Sequence, residues 1–278
     1  MSRRWSYFGY LVFTHVKTLP TGETIPVQSL GRVLDVLALF TSERSELSLS
    51  EIAELLDWPL PTVHRATSTL LDREFLARDP QTKRFRLGLG VARLVAPLLD
   101  RLGLPDLARP QLRALADETG ETVNLAVLDG ADVLYLLSHP GRFHLRVQAT
   151  PGMHLPAHCT ALGKCMLAQL DPEEARRRLG PEPYAALTSA TVRTWAALEP
   201  QLEAARANGY ALSVGEYESG LLACAVPVAT RVGLSAAINV AASANRVSPE
   251  GLVKRIAPRL EAAAAVIARA ETLEAGGA

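Results

Sequence analysis

Apolar residues recur at helical spacing from Leu30 onward, with Leu30, Val33, Leu34, Leu37 and Phe40 on one face. A charged loop, "TSERSE", ends that helix. "LSLSEIAELLDW" then carries a start signal. Ser48 stands as N-cap, Glu51 three residues on completes a capping box, and Leu47 and Ile52 occupy staple positions. After "DWPLP" a third helix opens at Pro61, whose missing N–H costs nothing in a first turn. In "PTVHRATSTLLDREFL", Val63, Ala66, Thr67 and Leu70 point one way. Arg65, Ser68, Thr69 and Asp72 point the other, with Thr62 and His64 on the flanks. That face holds small hydroxyls around one arginine, which suits close approach to a surface. "FLARDPQTKRFRLG" reads as a hairpin turning at "DPQT". Three helices and a two-stranded wing make a winged helix-turn-helix. The stripe Val91, Leu94, Val95, Leu98 and Leu99 in "VARLVAPLLDRL" marks a linker helix, which a second copy in a dimer would bury.

From residue 106 the pattern changes. "LARPQLRALADETG" is a helix closed by Gly120, and "TVNLAVLDGADVLYLLSH" is two β-prone runs joined by Asp-Gly. "FHLRVQAT" reads as a further strand, and "LPAHCTALGKCMLAQL" as an extended segment entering a helix. "DPEEARRRL", capped by Asp171, and "LEPQLEAARANGY" are helices, followed by the strands "YALSVGE", "LLACAVPVA" and "LSAAINVAA". A last helix is capped by Ser248 and kinked or split at Pro258. The fold class expected is α+β, with an antiparallel sheet flanked by helices after the winged domain.

Composition narrows the partners. The chain has 278 residues, 48% hydrophobic, with no formal net charge. It holds two cores without staples, and no global field draws it to nucleic acid or membrane. Its three cysteines form no CxxC pair, as in a cytoplasmic protein. The charge is locally polarised. Residues 43–57 carry five acids and one base, while residues 61–93 carry seven bases and three acids. Residues 1–24 read as an extension outside the core, unstructured or an accessory strand. Their apolar stretch is far shorter than a membrane span and lacks an A-x-A cleavage site.

The segment from 155 to 170 offers His158, Cys159, Lys164 and Cys165, the residue types of a thiol enzyme. Cys159 stands at a helix start, where a thiolate is stabilised, but no third group completes a nucleophile. Cys165 falls on the apolar side, and Lys164 reads as a surface or interdomain residue. His154 and His158 are four apart, yet Pro156 lies between them and two ligands make no metal site. No catalytic residue, metal or cofactor is therefore assigned. The free N–H groups of the helix starting at Thr160, with Gly163 allowing close approach, form a carboxylate site instead.

"VQSLGRVLDVLALF", "LSLSEIAELLDWPLPTVHRATSTLLDREFLARDPQTKRFRLG", "LPAHCTALGKCMLA", "ANGYALSVGEYESGLLACAVPV" and "AAINVAASANRVS" together resemble the IclR-type transcriptional regulators, over residues 26 to 270. The resemblance implies a winged-helix DNA-binding domain (25–88), a linker helix that dimerises (89–105), and a GAF-like domain that binds a small effector (106–272). It implies a regulator, repressor or activator, of a catabolic operon for aromatics, sugars or short organic acids. The partners implied are a pseudo-palindromic DNA operator and a second copy of the chain, as a dimer or dimer of dimers. Thr62, His64, Arg65, Ser68 and Thr69 would enter the major groove, where Arg65 is suited to guanine. Lys83, Arg84 and Arg86 would hold phosphates or enter the minor groove. The effector site carried over comprises Ala161, Leu162, Ser213, Ala223 or Cys224, Asn239 and Ala241, with His158, Cys159 and Thr160 at the helix entry. The chain departs from the family pattern at Asp57 and Glu74, where glycines are usual, and at Leu60 and Pro61, where a lysine and a serine are usual. The hairpin around "ATRVGLS" is also shorter. The rivals are a thiol enzyme with a helical dimerisation head and a DNA-binding protein without a ligand.

Overall fold

The structure, a computed structural model, describes residues 28–41, 44–143, 149–230 and 235–274. The extension over 1–24, the central part of "FHLRVQAT" and most of "ATRVGLS" lie outside the described residues. The chain divides into two compact units, Met1–Arg101 and Leu102–Ala278.

The first unit contains α1 (Gln28–Ala38), α2 (Leu49–Leu56), α3 (Leu60–Asp72), the antiparallel pair β1 (Leu76–Arg78) and β2 (Phe85–Leu87), and all but the last residue of α4 (Leu89–Leu102). Its core gathers Val36, Leu39, Ile52, Val63, Leu70, Leu76 and Phe85. The apolar face of α1 is rotated from the expected one. Val36 is fully buried while Leu34 is 65% exposed, and Val33 and Leu37 pack against the same core as Val36. The capping box is present. Ser48 Oγ accepts the Glu51 N–H at 3.3 Å, and Glu51 Oε2 accepts the Ser48 N–H at 2.7 Å. Asp57 ends α2 at φ 52°, and Glu74 follows α3 at φ 61°, so both acidic residues adopt the left-handed conformation usually left to glycine. The Glu74 carbonyl leaves no room beyond: a Cβ on Gly88 would stand 2.1 Å from it.

Asp79 Oδ1 accepts the N–H groups of Gln81 and Thr82 at 2.9 and 2.7 Å and so shapes the wing turn. The wing is fastened to α2 by Arg84, which donates to Glu51 at 2.7 Å and to the Glu46 carbonyl at 3.2 Å. Glu51 thus serves the cap and the wing together.

The second unit is an α+β layer structure. Its strands are β3 (Thr122–Asp129), β4 (Asp132–His139), β5 (His154–Pro156), β6 (Ala211–Val214), β7 (Leu221–Val228) and β8 (Ala236–Ser243). They form one six-stranded sheet in the order β5-β4-β3-β8-β7-β6, with every neighbouring pair antiparallel. α6 (Ala161–Leu167), α7 (Pro172–Leu179) and α8 (Trp195–Asn208) contribute to the core on one face. α5 (Leu104–Thr119), closed by Gly120 at φ 74°, contributes to the core on the other. The C-terminal helix joins α5 there. It starts as one turn, α9 (Pro249–Gly251), passes through a π turn (Leu252–Ile256) and continues as α10 (Ala257–Glu274). The π turn meets the expectation at Pro258: a proline ring cannot sit against the carbonyl four residues back, and widening one turn relieves the clash.

Both sheet faces are covered, so the central strands alternate between two cores rather than between core and water. Ala126, Ala237 and Ala241 belong to the front core; Val123, Leu125, Ile238, Val240 and Ala242 belong to the back one. Among the described residues no helix is long and apolar enough to cross a membrane.

Cap hydrogen bonds from Ser48, then Arg84, hold the Glu51 carboxyl down from 4.5 to about 2. A depressed carboxylate stabilises the fold above its unfolded value, and that contribution is lost as pH falls through the folded one. The first unit should therefore weaken from pH 4.5 toward pH 2, and Glu51→Gln should flatten that dependence. Urea titrations read by Trp58 fluorescence, with Trp5 and Trp195 replaced by Phe, check this; an equally steep loss in the Gln variant would refute it.

Candidate functional site

α3 presents the first candidate surface. Val63, Ala66, Thr67 and Leu70 are buried, which leaves His64, Arg65 and Thr69 exposed and Thr62 and Ser68 half-buried. Thr69 Oγ1 donates to the Arg65 carbonyl at 3.0 Å, so its oxygen alone faces outward as an acceptor. On the wing, Lys83 and Arg86 are exposed, and Lys83 sits at φ 61° on the turn. Arg84, expected beside Lys83 and Arg86 as a phosphate contact, is half-buried and bound to Glu51 and to the Glu46 carbonyl. Charge pairing within the domain outweighs outward display there.

The second candidate is a cavity of about 40 Å³ on the front face of the six-stranded sheet. Its floor is made by alternate residues of the central strands: Thr122 and Asn124 on β3, Asn239 and Ala241 on β8, Leu221 and Ala223 on β7. Tyr135, Leu155 and Ala149 close one side, Ser213 and Tyr217 another, and Thr160 and Ala161 bring in the entry of α6. Among the described residues, no lining side chain is charged. Asn124 faces Asn239 across the β3–β8 ladder, and Asn124 Nδ2 donates to Asn239 Oδ1 at 2.9 Å. Among the described residues, Asn124 Oδ1 is buried without a hydrogen-bond partner. An orphaned buried amide oxygen is costly, of the order of 1–3 kcal/mol, unless a donor reaches it.

Of the residues expected at this site, Thr160, Ala161, Ser213, Ala223, Asn239 and Ala241 line the cavity. Four do not. Strand parity puts Cys224 in the back core, one residue from Ala223 and on the opposite face. Leu162 is packed into the front core. His158 is turned aside, with Nε2 3.0 Å from the Ala185 carbonyl and its ring 5.2 Å from that of Tyr184. Burial lowers its pKa below the usual histidine value. Cys159 lies in the tight turn Ala157–Cys159 and points its thiol at the Pro156 carbonyl, 3.6 Å away. Burial pushes that thiol up to about 12, the reverse of the activated cysteine a helix start would give. Thr122, Asn124, Tyr135, Ala149, Leu155, Tyr217 and Leu221 were not anticipated. The signal for two of them was legible: Thr122 and Asn124 are polar at alternate positions of a strand filled with Val, Leu and Ala up to its terminal Asp129.

The helix entry also differs in detail. Thr160 Oγ1 accepts the Gly163 N–H at 3.1 Å, so α6 supplies its own cap. Gly163 is small for packing rather than for a ligand, since a Cβ there would lie 2.2 Å from the Ala157 carbonyl oxygen. His154 Nε2 lies 3.3 Å from Asp129 Oδ2, away from the partner of His158.

Lys164, expected at the surface or between domains, is 1% exposed. It pairs with Glu216, donates to Gln201 Oε1 at 2.6 Å, and lies 3.4 Å from the Leu212 carbonyl. Burial lowers its pKa, against the opposing pull of Glu216. The correction has a physical origin: the carboxylate that pays for burial is 52 residues away and invisible to local pattern. The turn carrying Glu216 is held further by Thr191 and Thr188, which donate to the Glu216 and Gly215 carbonyls at 2.6 and 2.7 Å. Lys164 therefore anchors the segment that supplies Ser213 and Tyr217 to the cavity wall.

Most of the chain has relatives. Residues 29–80 match the model of the IclR helix-turn-helix domain, and residues 96–269 match that of the bacterial transcriptional regulator IclR C-terminal domain. The chain is 36% identical over 211 residues to the HTH-type transcriptional regulator BhcR of Paracoccus denitrificans, covering 76% of this chain and 75% of that one. It is 32% identical to the p-hydroxybenzoate hydroxylase transcriptional activator of Acinetobacter baylyi, covering 84% and 88%. Among solved structures, an IclR homolog complexed with 4-hydroxybenzoate from Microbacterium hydrocarbonoxydans is similar at a TM-score of 0.77 and 25% identity, covering 88% and 99%.

Lys164→Ala strands a buried carboxylate and should cost roughly 3–5 kcal/mol of unfolding free energy. The double replacement Lys164→Met with Glu216→Leu should restore most of it. Denaturant titration of the three proteins decides; a single variant as stable as the parent would contradict the buried pair. All three cysteines are buried, so native protein at pH 8 should resist iodoacetamide and react fully once unfolded. Rapid native labelling of Cys159 would revive the thiol reading.

Proposed function

The chain belongs to the IclR family of bacterial transcriptional regulators, and from that premise we propose that it is a ligand-responsive DNA-binding regulator of a catabolic operon. In this reading residues 25–88 bind DNA, 89–105 form a dimerising linker, and 106–272 form a GAF-like effector domain. The linker argument rests on α4, where Leu94 and Val95 of the apolar stripe are 66% and 36% exposed, an apolar display that a second copy of the helix would cover. Thr62, His64, Arg65, Ser68 and Thr69 read the major groove, and Lys83 and Arg86 hold phosphates. Arg84 positions the wing through Glu51.

The effector occupies the front cavity, and the observation that carries this is the unpartnered Asn124 Oδ1 in its floor. An acceptor asks for a donor, so the effector bears a hydroxyl as well as its carboxylate. The apolar wall of Leu155, Leu221, Ala223 and Ala241 takes a ring. A hydroxylated aromatic acid satisfies all three, and relatives tied by name to 4-hydroxybenzoate support that class. A cavity of about 150 Å³ is what a benzene ring takes. With about 40 Å³ in this form, binding requires the wall to open, and a ligand that needs a different wall favours a different state of the protein.

A duplex selected from a random pool, followed by fluorescence anisotropy, tests both halves. Arg65→Ala should lose preference for the selected sequence, and Lys83→Ala should weaken all duplexes and lower the salt slope by about 1. 4-Hydroxybenzoate should shift affinity of the full chain for its duplex by roughly 5- to 150-fold. Asn124→Leu should abolish that shift and leave ligand-free DNA binding intact. Unchanged selectivity in Arg65→Ala would sink the assignment of α3. A full response in Asn124→Leu would sink the assignment of the cavity.

A further inference from the structure

The back face of the sheet holds a second and larger cavity, of about 120 Å³. Its apolar side is built by Val240 and Ala242 of β8 with Leu252 and Ile256 of the π turn. Its polar side comes from the end of α5 and from two arginines one helical turn apart, Arg255 and Arg259. The widened turn before Pro258 lies along this cavity, and such turns occur often at ligand sites.

The ion pairs around it leave one arginine over. Glu121 is buried and gripped at both oxygens by Arg246, at 2.9 and 2.7 Å. Glu118 is taken by Arg259. Arg255 makes no ion pair among the described residues. Two lining guanidiniums stand against two lining carboxylates, but both carboxylates are already engaged, Glu121 by Arg246 from outside the lining, which leaves Arg255 over. A cation entering here meets no free acid, whereas an anion finds the open donors of Arg255 beside an apolar floor.

We propose that this cavity binds a small aliphatic monocarboxylate, its head group on Arg255 and its chain against Val240, Ala242 and Leu252. The volume is about four times a water's share of the liquid and slightly below what a benzene ring needs, which fits a chain of about four carbons. A single guanidinium without an ion-pair partner matches a carboxylate better than a phosphate dianion. The site is distinct from the front cavity, which has no charged lining residue among the described residues, and it does not depend on the effector reading. The two share β8, which turns Asn239 and Ala241 to the front and Val240 and Ala242 to the back.

Calorimetric titration of the full-length protein with sodium butyrate, with sodium chloride as the ionic control, tests the proposal. Saturable binding of one butyrate per chain is expected. Arg255 is exposed, so Arg255→Ala keeps the fold while weakening butyrate roughly tenfold or more. Asn124→Leu, in the front cavity, leaves butyrate binding unchanged. No saturable binding by the parent protein would overturn the proposal. So would binding that survives Arg255→Ala, whether or not Asn124→Leu removes it.

Discussion

The pairing of β3 with β8 at the centre of the sheet is the constraint on which the second unit depends. Thr122 opposes Ala241, Asn124 opposes Asn239 and Ala126 opposes Ala237, so one register decides what both faces display. A slip of one residue would send the asparagines into the back core and Leu125 and Ile238 into the cavity. Covered on both sides, these strands have no solvated face on which to place a polar residue cheaply. The asparagine pair in the middle of them is a local cost in an apolar layer, and it is where the cavity forms. The same register fixes which side of β8 meets the π turn and its arginines.

Around that floor the cavity wall is assembled from distant parts of the chain, and buried polar links hold it. Lys164 on α6 reaches Gln201 on α8, the Leu212 carbonyl on β6 and Glu216 beyond it. Ser213 donates to the Cys159 carbonyl at 2.8 Å and ties β6 to the turn before α6. Groups of this kind contribute little net energy compared with apolar packing, but they are directional and fix the wall in one arrangement. A wall pinned by few specific links has few ways to move, which is what a sensor needs if a ligand is to favour one state.

Local features were legible in the sequence because their physics is local. The capping box of Ser48 and Glu51, the left-handed tolerance of Asp57, the Asp79 turn and the buried face of α3 follow from neighbours within four residues. The Asp-Gly hairpin and the strands that follow are of the same kind. The site was only partly legible. Ala223 and Cys224 were left as alternatives, and strand parity chooses Ala223. His158, Cys159 and Leu162 are adjacent to lining residues in sequence but aim elsewhere, which periodicity alone does not resolve in a tight turn. Leu34 was misplaced because α1 is short and its apolar residues exceed one face. Lys164 was read as exposed because lysines usually are, and its partner lies far along the chain.

The central claim is that the Asn124–Asn239 floor receives the effector. The side-chain amide resonances of these two residues, in the ¹⁵N-labelled full chain titrated with 4-hydroxybenzoate, test it most directly. The account predicts that both move saturably and with one common affinity, while the side-chain N–H of Arg65 stays in place. Titration to saturation with both asparagine amides unmoved would contradict it.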